Sequence, residues 1–460
     1  MSKILTLFRP RKDMDMTAGP ITLQLIQFAF PLLIGNLFQQ LYNTVDSWVV
    51  GNYVSKEAFA AVGAVGPIIN MLIGFFLGLS NGAGVLISQY YGAKKHEKVS
   101  ETVHTFLLMT LILGVLFTFV GLGMTPLMIR FMNTPENVVP ESTAYLSIYF
   151  AGVIGLMLYN AGAGILRAIG DSQRPFYFLV TSALINIILD LVFVLVFDMG
   201  VEGVAWATVI SQAVSALMTL IVLFRSTTCV RLSLSKLRIH WDMLAKIIRI
   251  GIPSALQMMI ISFSNVFVQS YVYAFGDDCM AGWGAYSKID MIMFLPMQSL
   301  SLAVTTFVGQ NIGIGQEERA RKGVSVAMKI TVLITVILMI PLLIFAPYAV
   351  QIFNRDPNML SYGVLFLRHI TPFYVICCFN QIYSSALRGA GNTKIPMYIM
   401  LFAFVLFRQA YMFVMSNYIS NTILPIAMGY PAGWIVCSTI TTLYYRKVPL
   451  NRKKIITSEE

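Results

Sequence analysis

The sequence predicts an all-α integral membrane protein with twelve transmembrane helices in two pseudo-symmetric six-helix bundles. The prediction depends on the composition, on a series of apolar segments and on an internal repeat. Of the 460 residues, 57% are hydrophobic and only 12% are charged, and the mean hydropathy is +0.73. A soluble globule of this length would need more polar surface than this composition supplies.

Apolar segments of about 20 residues or more recur along the chain, and this length crosses a hydrocarbon core of about 30 Å. They lie at residues 25–50, 58–86, 102–123, 142–165, 176–197, 202–224, 248–274, 281–308, 324–346, 360–386, 396–417 and 423–445. Most connections between them are short, so we expect neighbouring helices to be antiparallel. We expect no separate soluble catalytic or nucleotide-binding domain.

The second half of the chain repeats landmarks of the first half at a displacement of 221 residues. The segment LRAIGDSQRP at 166–175 returns as LRGAGNTKIP at 387–396. The same displacement pairs Gln89 with Gln310, Gly92 with Gly313, Gly63 and Ala64 with Gly284 and Ala285, and Asn133 with Asn354. At a displacement of 222 residues, Pro31 pairs with Pro253 and Asn43 with Asn265. Landmarks in one order predict two equivalent halves, as in many transporters.

The repeat and the apolar segments together define a domain organisation. It comprises a cytoplasmic tail at 1–20, an N-lobe of six spans at 21–224, a cytoplasmic linker at 225–247, a C-lobe of six spans at 248–446 and a second cytoplasmic tail at 447–460. The linker is the longest polar and basic connection, and it lies where the repeat begins again.

The net charge of +11 reflects membrane topology in this interpretation. Loops on one side hold 25 of the 32 Lys and Arg residues. By the positive-inside rule, both termini are expected in the cytoplasm, with the chain in the plasma (inner) membrane. The first apolar stretch is a full span without a small-residue cleavage site, so no signal peptide is expected. Of the five cysteines, only Cys279 is predicted to face outside, which allows no intramolecular external disulfide.

Two acidic residues lie deep in apolar sequence of the first half, Asp46 and Asp190. A carboxylate there costs about 2.5 to 3.5 kcal/mol on an insertion scale, so each is a functional hypothesis. Counted from the external helix ends, Asp46 lies about five residues inward, Asp190 about eight and Thr208 about seven, which predicts a similar depth. Asn186 and Tyr42 each stand four residues before an aspartate, on the same helix face.

This set of carboxylate, amide and hydroxyl oxygens suits a small hard cation such as Na⁺, or a proton shared between two acids whose like charges repel. Asp46, Asn186, Asp190 and Thr208 are the candidate Na⁺ ligands. The alternative is that these groups are hydrogen-bonded and only hold helices together.

Several segments resemble the multidrug and toxic compound extrusion (MATE) family. They are Pro31, YNTVDSWVVG at 42–51, Asn186, Asp190, ATVISQ at 207–212 and the twin Q-x-x-G and L-R-x-x-G loops. The similarity covers nearly the whole chain. It implies an alternating-access antiporter that exports organic, often cationic, drugs or toxic metabolites while Na⁺ or H⁺ enters. It also implies a cation or proton site at the positions of Asp46, Asn186, Asp190 and Thr208, and a helix-bending role for Pro31.

The second half lacks the acidic pair, because Asp46 aligns with Val268 and Asp190 with Tyr411. Coupling is therefore expected in the first lobe alone. Asp290 and Arg408 are the clearly intramembrane charges of opposite sign in the second half, and they either form a buried ion pair or contribute to substrate recognition. Weaker candidates for a substrate cavity are Tyr145, Tyr159, Asn160, Gln257 and Met258, with helix packing as the alternative for the methionine.

No catalytic motif is complete. His96-Glu97 is followed by Ser100 where a zinc protease needs its second histidine, and Gly389–Lys394 lacks the spacing of a phosphate-binding loop. We therefore predict that the chain is not an enzyme and uses no cofactor other than the transported Na⁺ or H⁺. The expected partners are membrane lipid and small organic substrates, without nucleic acid, and the expected functional state is a monomer. A rival function is a lipid or lipid-linked oligosaccharide flippase, which would need basic residues lining its cavity.

Overall fold

The computed structural model describes residues 14–132, 134–353 and 355–450. The landmarks Asn133 and Asn354, and the predictions for residues 1–13 and 451–460 of the tails, lie outside the described residues. Within the described ranges, the regular secondary structure is helical throughout. Eleven helices there are long and apolar enough to cross a membrane, and the helix pair Val139–Ala151 and Val153–Ala168, bent by 48°, provides a twelfth span. The predicted all-α class is confirmed.

The first repeat contains seven helices because its fourth span is this bent pair. They are α1 (Ile21–Tyr53), α2 (Lys56–Gly92), α3 (His96–Phe131), α4 (Val139–Ala151), α5 (Val153–Ala168), α6 (Gln173–Leu191) and α7 (Gly200–Phe224). A π-helix at Val192–Val196 continues α6.

The second repeat has the same order of spans, several of which are divided into shorter helices. They are α8 (Trp241–Tyr273), α9 (Asp277–Gly313), α10 (Glu317–Ile344), α11 (Ala346–Gln351), α12 (Pro357–Ile370), α13 (Tyr374–Gly389), α14 (Lys394–Met400), α15 (Arg408–Val414), α16 (Ile423–Ala427) and α17 (Gly429–Lys447). Two π-helices, Leu401–Phe407 and Met415–Ile419, flank α15.

The L-R-x-x-G loops have the same backbone structure in both repeats. Gly170 and Gly391 have φ of 91° and 86°, and each follows the last turn of a helix. The N–H of Asp171 donates to Leu166 O, and the N–H of Asn392 donates to Leu387 O. These bonds satisfy helix-end carbonyls in the Schellman arrangement, which needs a residue in the left-handed region. The sequence repeat is thus also a structural repeat at this loop.

The helices form two compact units. Among the described residues, one unit contains 14–15 and Phe30–Gly251, and the other contains Met16–Ala29 and 252–450. The domain bounds predicted from the sequence follow the spans, whereas these spatial units assign the start of α1 to the second unit and the start of α8 to the first. In both repeats the division lies just before an intrahelical proline, Pro31 or Pro253.

Contacts within each unit explain this assignment. In the second unit, the Met16 N–H donates to Gln310 Oε1 at 2.9 Å, and Asn311 Nδ2 donates to Met16 O at 3.1 Å. In the first unit, the His240 N–H donates to Thr105 Oγ1 at 3.1 Å. The Q-x-x-G segment that marks the sequence repeat lies in the last turn of α9, and it anchors the N-terminal segment in the second unit.

Small residues bring α5 close to α7 in the first unit. A methyl group added at Gly162 would lie 2.2 Å from Thr219 Cγ2, and one added at Gly152, where α4 meets α5, would lie 2.3 Å from Val209 Cγ1. Backbones that approach this closely gain van der Waals contact without the side-chain volume that would separate them. This packing fixes α7, which carries Thr208, against the bent fourth span.

Large apolar side chains are exposed along the outside of several helices. On α3, Phe119 and Leu127 are 71% and 61% exposed. Such surfaces suit lipid rather than water. Cys279, predicted from the sequence to lie on the external side of the membrane, is buried by packing near the start of α9.

Candidate functional site

The carboxyl groups of Asp46 and Asp190 lie next to each other. Asp46 is on α1 and Asp190 is near the end of α6, and both belong to the first unit. Their side chains are buried, with exposures of 7% and 0%. The two acids that the sequence predicts at similar depth are therefore brought together by the packing of two helices.

The backbone changes geometry directly after Asp190. A π-helix begins at Val192, and the Phe197 N–H donates to Val192 O at 3.1 Å, five residues back. Short π-helical segments within α-helices occur frequently at functional sites. The apolar run at 192–197 gave no signal for this change, because every residue in it is compatible with an ordinary α-helix.

Asn186 and Thr208, the other two predicted site residues, are both buried. Asn186 lies one turn before Asp190 and is 1% exposed. The Thr208 hydroxyl is buried on α7 and donates to Val204 O at 3.1 Å. Because this bond uses the only hydroxyl proton, the oxygen faces its surroundings as an acceptor. Thr208 can therefore accept a hydrogen bond or coordinate a cation.

Two tyrosines lie near the acidic pair. The Tyr145 side chain on α4 lies close to Thr208 and to both aspartates. The sequence suggested Tyr145 as part of a substrate cavity, whereas the structure places it beside the acids. Tyr42, one turn before Asp46, lies close to Gln212 and to Tyr159.

Gln212 was missed by the sequence analysis. It lies one turn after Thr208 and is 8% exposed. The four-residue spacing from Thr208, the same rule that selected Asn186, could have identified it. Its Nε2 side approaches Tyr42, and its Oε1 forms no hydrogen bond within the described residues.

Several buried polar atoms at this site have no hydrogen-bond partner among the described residues. They are Asp46 Oδ1, both carboxyl oxygens of Asp190, both amide atoms of Asn186 and Gln212 Oε1. Such atoms are rare and costly in folded proteins, and each calls for an explanation. Carboxylate, amide and hydroxyl oxygens are the ligands that hard cations prefer, and two acids facing each other can share one proton. The donor set thus fits Na⁺ or H⁺.

Other candidates have structural contacts. Asn160 donates to Leu156 O at 2.8 Å and accepts at its backbone carbonyl from Ser80. Tyr159 donates to Pro175 O at 3.3 Å. Gln257 donates to Thr393 O at 2.9 Å, and Met258 is half-buried.

The second unit contains no equivalent acidic pair at the aligned positions, where Val268 is fully buried and Tyr411 half-buried. The ion pair considered for Asp290 and Arg408 is not formed. Asp290 instead accepts hydrogen bonds from the hydroxyls of Tyr286, at 3.2 Å, and Tyr374. The two charges lie on helices with different packing partners, because α9 packs against α13, whereas α15 packs against α8 and α17. Tyr430 lies near both charges.

Comparisons with known proteins agree with the repeat and with the fold. The family model MatE matches the chain twice, at residues 31–192 and 253–414. "Probable multidrug resistance protein YoeA" from Bacillus subtilis is 31% identical, over 92% of each chain. "Probable multidrug resistance protein YpnP" from the same organism is 29% identical, over 97% of this chain and all of the relative.

A solved structure is also similar over nearly its full length. It is a MOP superfamily transporter from Pyrococcus furiosus, described as having a binding pocket of reverse polarity that suggests a different function. Its TM-score is 0.90 at 25% identity, covering 95% of this chain and 98% of that one. The two family matches correspond to the two sequence repeats, and together they cover more than half of the chain. The chain therefore belongs to the MATE family of multidrug efflux transporters.

Proposed function

We propose that this transporter is a cation-coupled antiporter that exports organic, often cationic, drugs or toxic metabolites by alternating access while Na⁺ or H⁺ enters. The observation that carries the proposal is the contact between the buried carboxyl groups of Asp46 and Asp190. The protein would act as a monomer in the plasma membrane, with both termini in the cytoplasm. It would use no cofactor, catalyse no reaction and bind no nucleic acid.

The charge of the acidic pair links ion binding to helix position. With both acids ionised, their like charges repel; for two unit charges about 4 Å apart this repulsion is roughly 4 kcal/mol at an effective dielectric constant of 20. A shared proton or a bound cation turns this repulsion into attraction. Loading would therefore draw α1 and α6 together at Asp46 and Asp190, and release of the ion would let them separate.

Pro31 gives α1 a point at which the helix could bend when the ion binds or leaves. A proline inside a helix removes one backbone donor and favours a kink at that point. Pro31 lies 15 residues before Asp46 on the same helix. Bending of α1 at Pro31 would change the position of Asp46 without disrupting the helix that carries it.

An ion gradient can supply the work. One charge that moves through 100 mV provides about 2.3 kcal/mol. This energy corresponds to roughly fortyfold accumulation of the exported substrate, before any contribution from the concentration gradient of the coupling ion.

The deciding experiment measures efflux of a fluorescent cation from proteoliposomes under separately imposed Na⁺ and H⁺ gradients. Asp46→Asn and Asp190→Asn should lose gradient-driven efflux because the asparagine side chain cannot ionise. Asp198→Asn is the matched control, since Asp198 lies exposed just beyond the same span and asparagine tolerates its φ of 53°. Wild-type coupled efflux in both Asp46→Asn and Asp190→Asn would contradict the proposal.

A further inference from the structure

Arg408 is a buried cation in a membrane-spanning segment of the second unit. It is 2% exposed and lies about 14 residues after Lys394 and about 11 before Ile419, the ends of the span. At about 1.5 Å per residue, it is roughly 16 Å or more from either end. Its charge therefore lies deep in the apolar region.

The groups that contact Arg408 are neutral. Its Nε donates to Ser264 Oγ at 3.1 Å, and its Nη2 donates to Asn265 Oδ1 at 3.0 Å. The guanidinium carbon lies 5.3 Å from the centre of the Phe404 ring and 4.8 Å from that of Tyr430. Aromatic faces attract a cation, but they leave its net charge in place.

No carboxylate compensates this charge in the described part of the chain. The ion pairs found there involve other residues, and the Asp290 carboxylate accepts from two tyrosine hydroxyls instead. The hydrogen bonds of Arg408 use Nε and Nη2, so Nη1 donates to no described acceptor. An uncompensated buried charge destabilises a fold unless another group supplies the opposite charge.

The surrounding helices are shaped to hold the side chain. On α17, a methyl group added at Gly433 would lie 3.3 Å from Arg408 Cδ, so the glycine leaves room for the arginine stem. The π-helices Leu401–Phe407 and Met415–Ile419 lie on both sides of the short α15 that begins with Arg408. Such interruptions are frequent at functional sites.

We propose that Arg408 binds the anionic group of a transported organic anion, a carboxylate or a phosphate ester, within the second unit. The Nη1 edge, which donates to no described acceptor, supplies donors for the anion. The inference rests on the proposed transport function and extends its substrates from cations to anions. Lipid headgroups carry the same chemistry, but the depth of Arg408 favours a soluble anion that enters the protein.

A structural cross-link is the other role that these contacts allow. Arg408 joins α15 to Ser264 and Asn265 of α8, and its loss could disturb this packing. Two substitutions separate the roles. Arg408→Gln keeps an amide donor for Ser264 and removes the charge, whereas Arg408→Lys keeps the charge and loses the planar fork.

The test compares two xanthene dyes of opposite charge, carboxyfluorescein and rhodamine 6G, in efflux from proteoliposomes. For Arg408→Gln we expect a loss of carboxyfluorescein efflux of about tenfold or more, with rhodamine 6G efflux within about twofold of wild type. Arg408→Lys should retain more carboxyfluorescein efflux than Arg408→Gln. Asn265→Ala, which weakens the cross-link and keeps the charge, should stay within about threefold for both dyes.

Equal losses of efflux for the two dyes in Arg408→Gln would overturn the inference and favour the cross-link. Absence of carboxyfluorescein efflux in the wild-type protein would also overturn the inference. Where Arg408→Gln does not yield folded protein, the carboxyfluorescein efflux of Arg408→Lys and Asn265→Ala decides between anion binding and the cross-link. Competition by phosphatidylglycerol in the liposomes, without carboxyfluorescein transport, would indicate a lipid ligand and overturn it too. Asp46→Asn should reduce the efflux of both dyes equally. Failure of the coupling proposal can therefore be distinguished from failure of the Arg408 inference.

Discussion

Asp46 and Asp190 stand 144 positions apart in the sequence, yet their carboxyl groups meet between α1 and α6. Neither acid has a basic partner among the ion pairs of the described residues. They are therefore each other's main electrostatic neighbour, and the charge of one sets the environment of the other.

This contact predicts that substitutions of the two acids are not additive. Because Asp46 and Asp190 would act as one site, the double variant Asp46→Asn/Asp190→Asn should transport no more slowly than the worse single variant. Gradient-driven efflux rates of the three variants measure this. Losses that multiply in the double variant would show that the two residues act independently.

Thr208 provides a test of the coupling ion. Thr208→Val removes the acceptor oxygen, so the apparent affinity for Na⁺ should fall by about tenfold if Na⁺ is the ion, a loss of one ligand worth about 1.4 kcal/mol. Thr208→Ser should stay close to wild type. The matched control is Thr219→Val, because Thr219 is also buried on α7 and its hydroxyl donates to its own helix at Ser215 O. With H⁺ as the ion, Thr208→Val should leave the response to a pH gradient within about threefold of wild type.

Close packing of α5 against α7 predicts that a methyl group added at Gly162 lowers stability more than one added at an open glycine. Gly162→Ala should lower the free energy of unfolding by about 1 to 3 kcal/mol, because the new methyl overlaps Thr219. Gly123→Ala on α3 is the control, since no atom lies within 4 Å of its added methyl. Thermal unfolding in detergent measures both. A melting temperature for Gly162→Ala equal to that of Gly123→Ala would contradict the packing.

The ends of α2 and α9 predict a paired effect on stability. Lys94 has φ of 58°, and Gly315, its equivalent in the second repeat, has φ of 83° in the same hydrogen-bonded turn. A non-glycine residue in this region costs roughly 1 kcal/mol. Lys94→Gly should therefore raise the melting temperature, and Gly315→Lys should lower it, since the space around a Gly315 side chain is open. Shifts of the same sign in the two variants would exclude this explanation.

Sequence alone was informative wherever the signal is local. Apolar length predicted the spans, including the fourth, although it did not predict the bend at Gly152. Helical spacing placed Asn186 with Asp190 and Tyr42 with Asp46, because residues four apart share a helix face whatever the rest of the fold does. The repeated L-R-x-x-G motif indicated two equivalent halves, and the left-handed conformation of Gly170 and Gly391 agrees with it.

Contacts between distant segments were decided by tertiary structure. The absence of an ion pair between Asp290 and Arg408, the approach of Tyr145 to the acids and the assignment of the α1 and α8 starts to the two units all depend on which helices pack together and on their rotation. Hydropathy and periodicity specify the length and face of a helix. They do not specify its neighbour, because apolar faces are interchangeable until side-chain shape and hydrogen bonding select one packing.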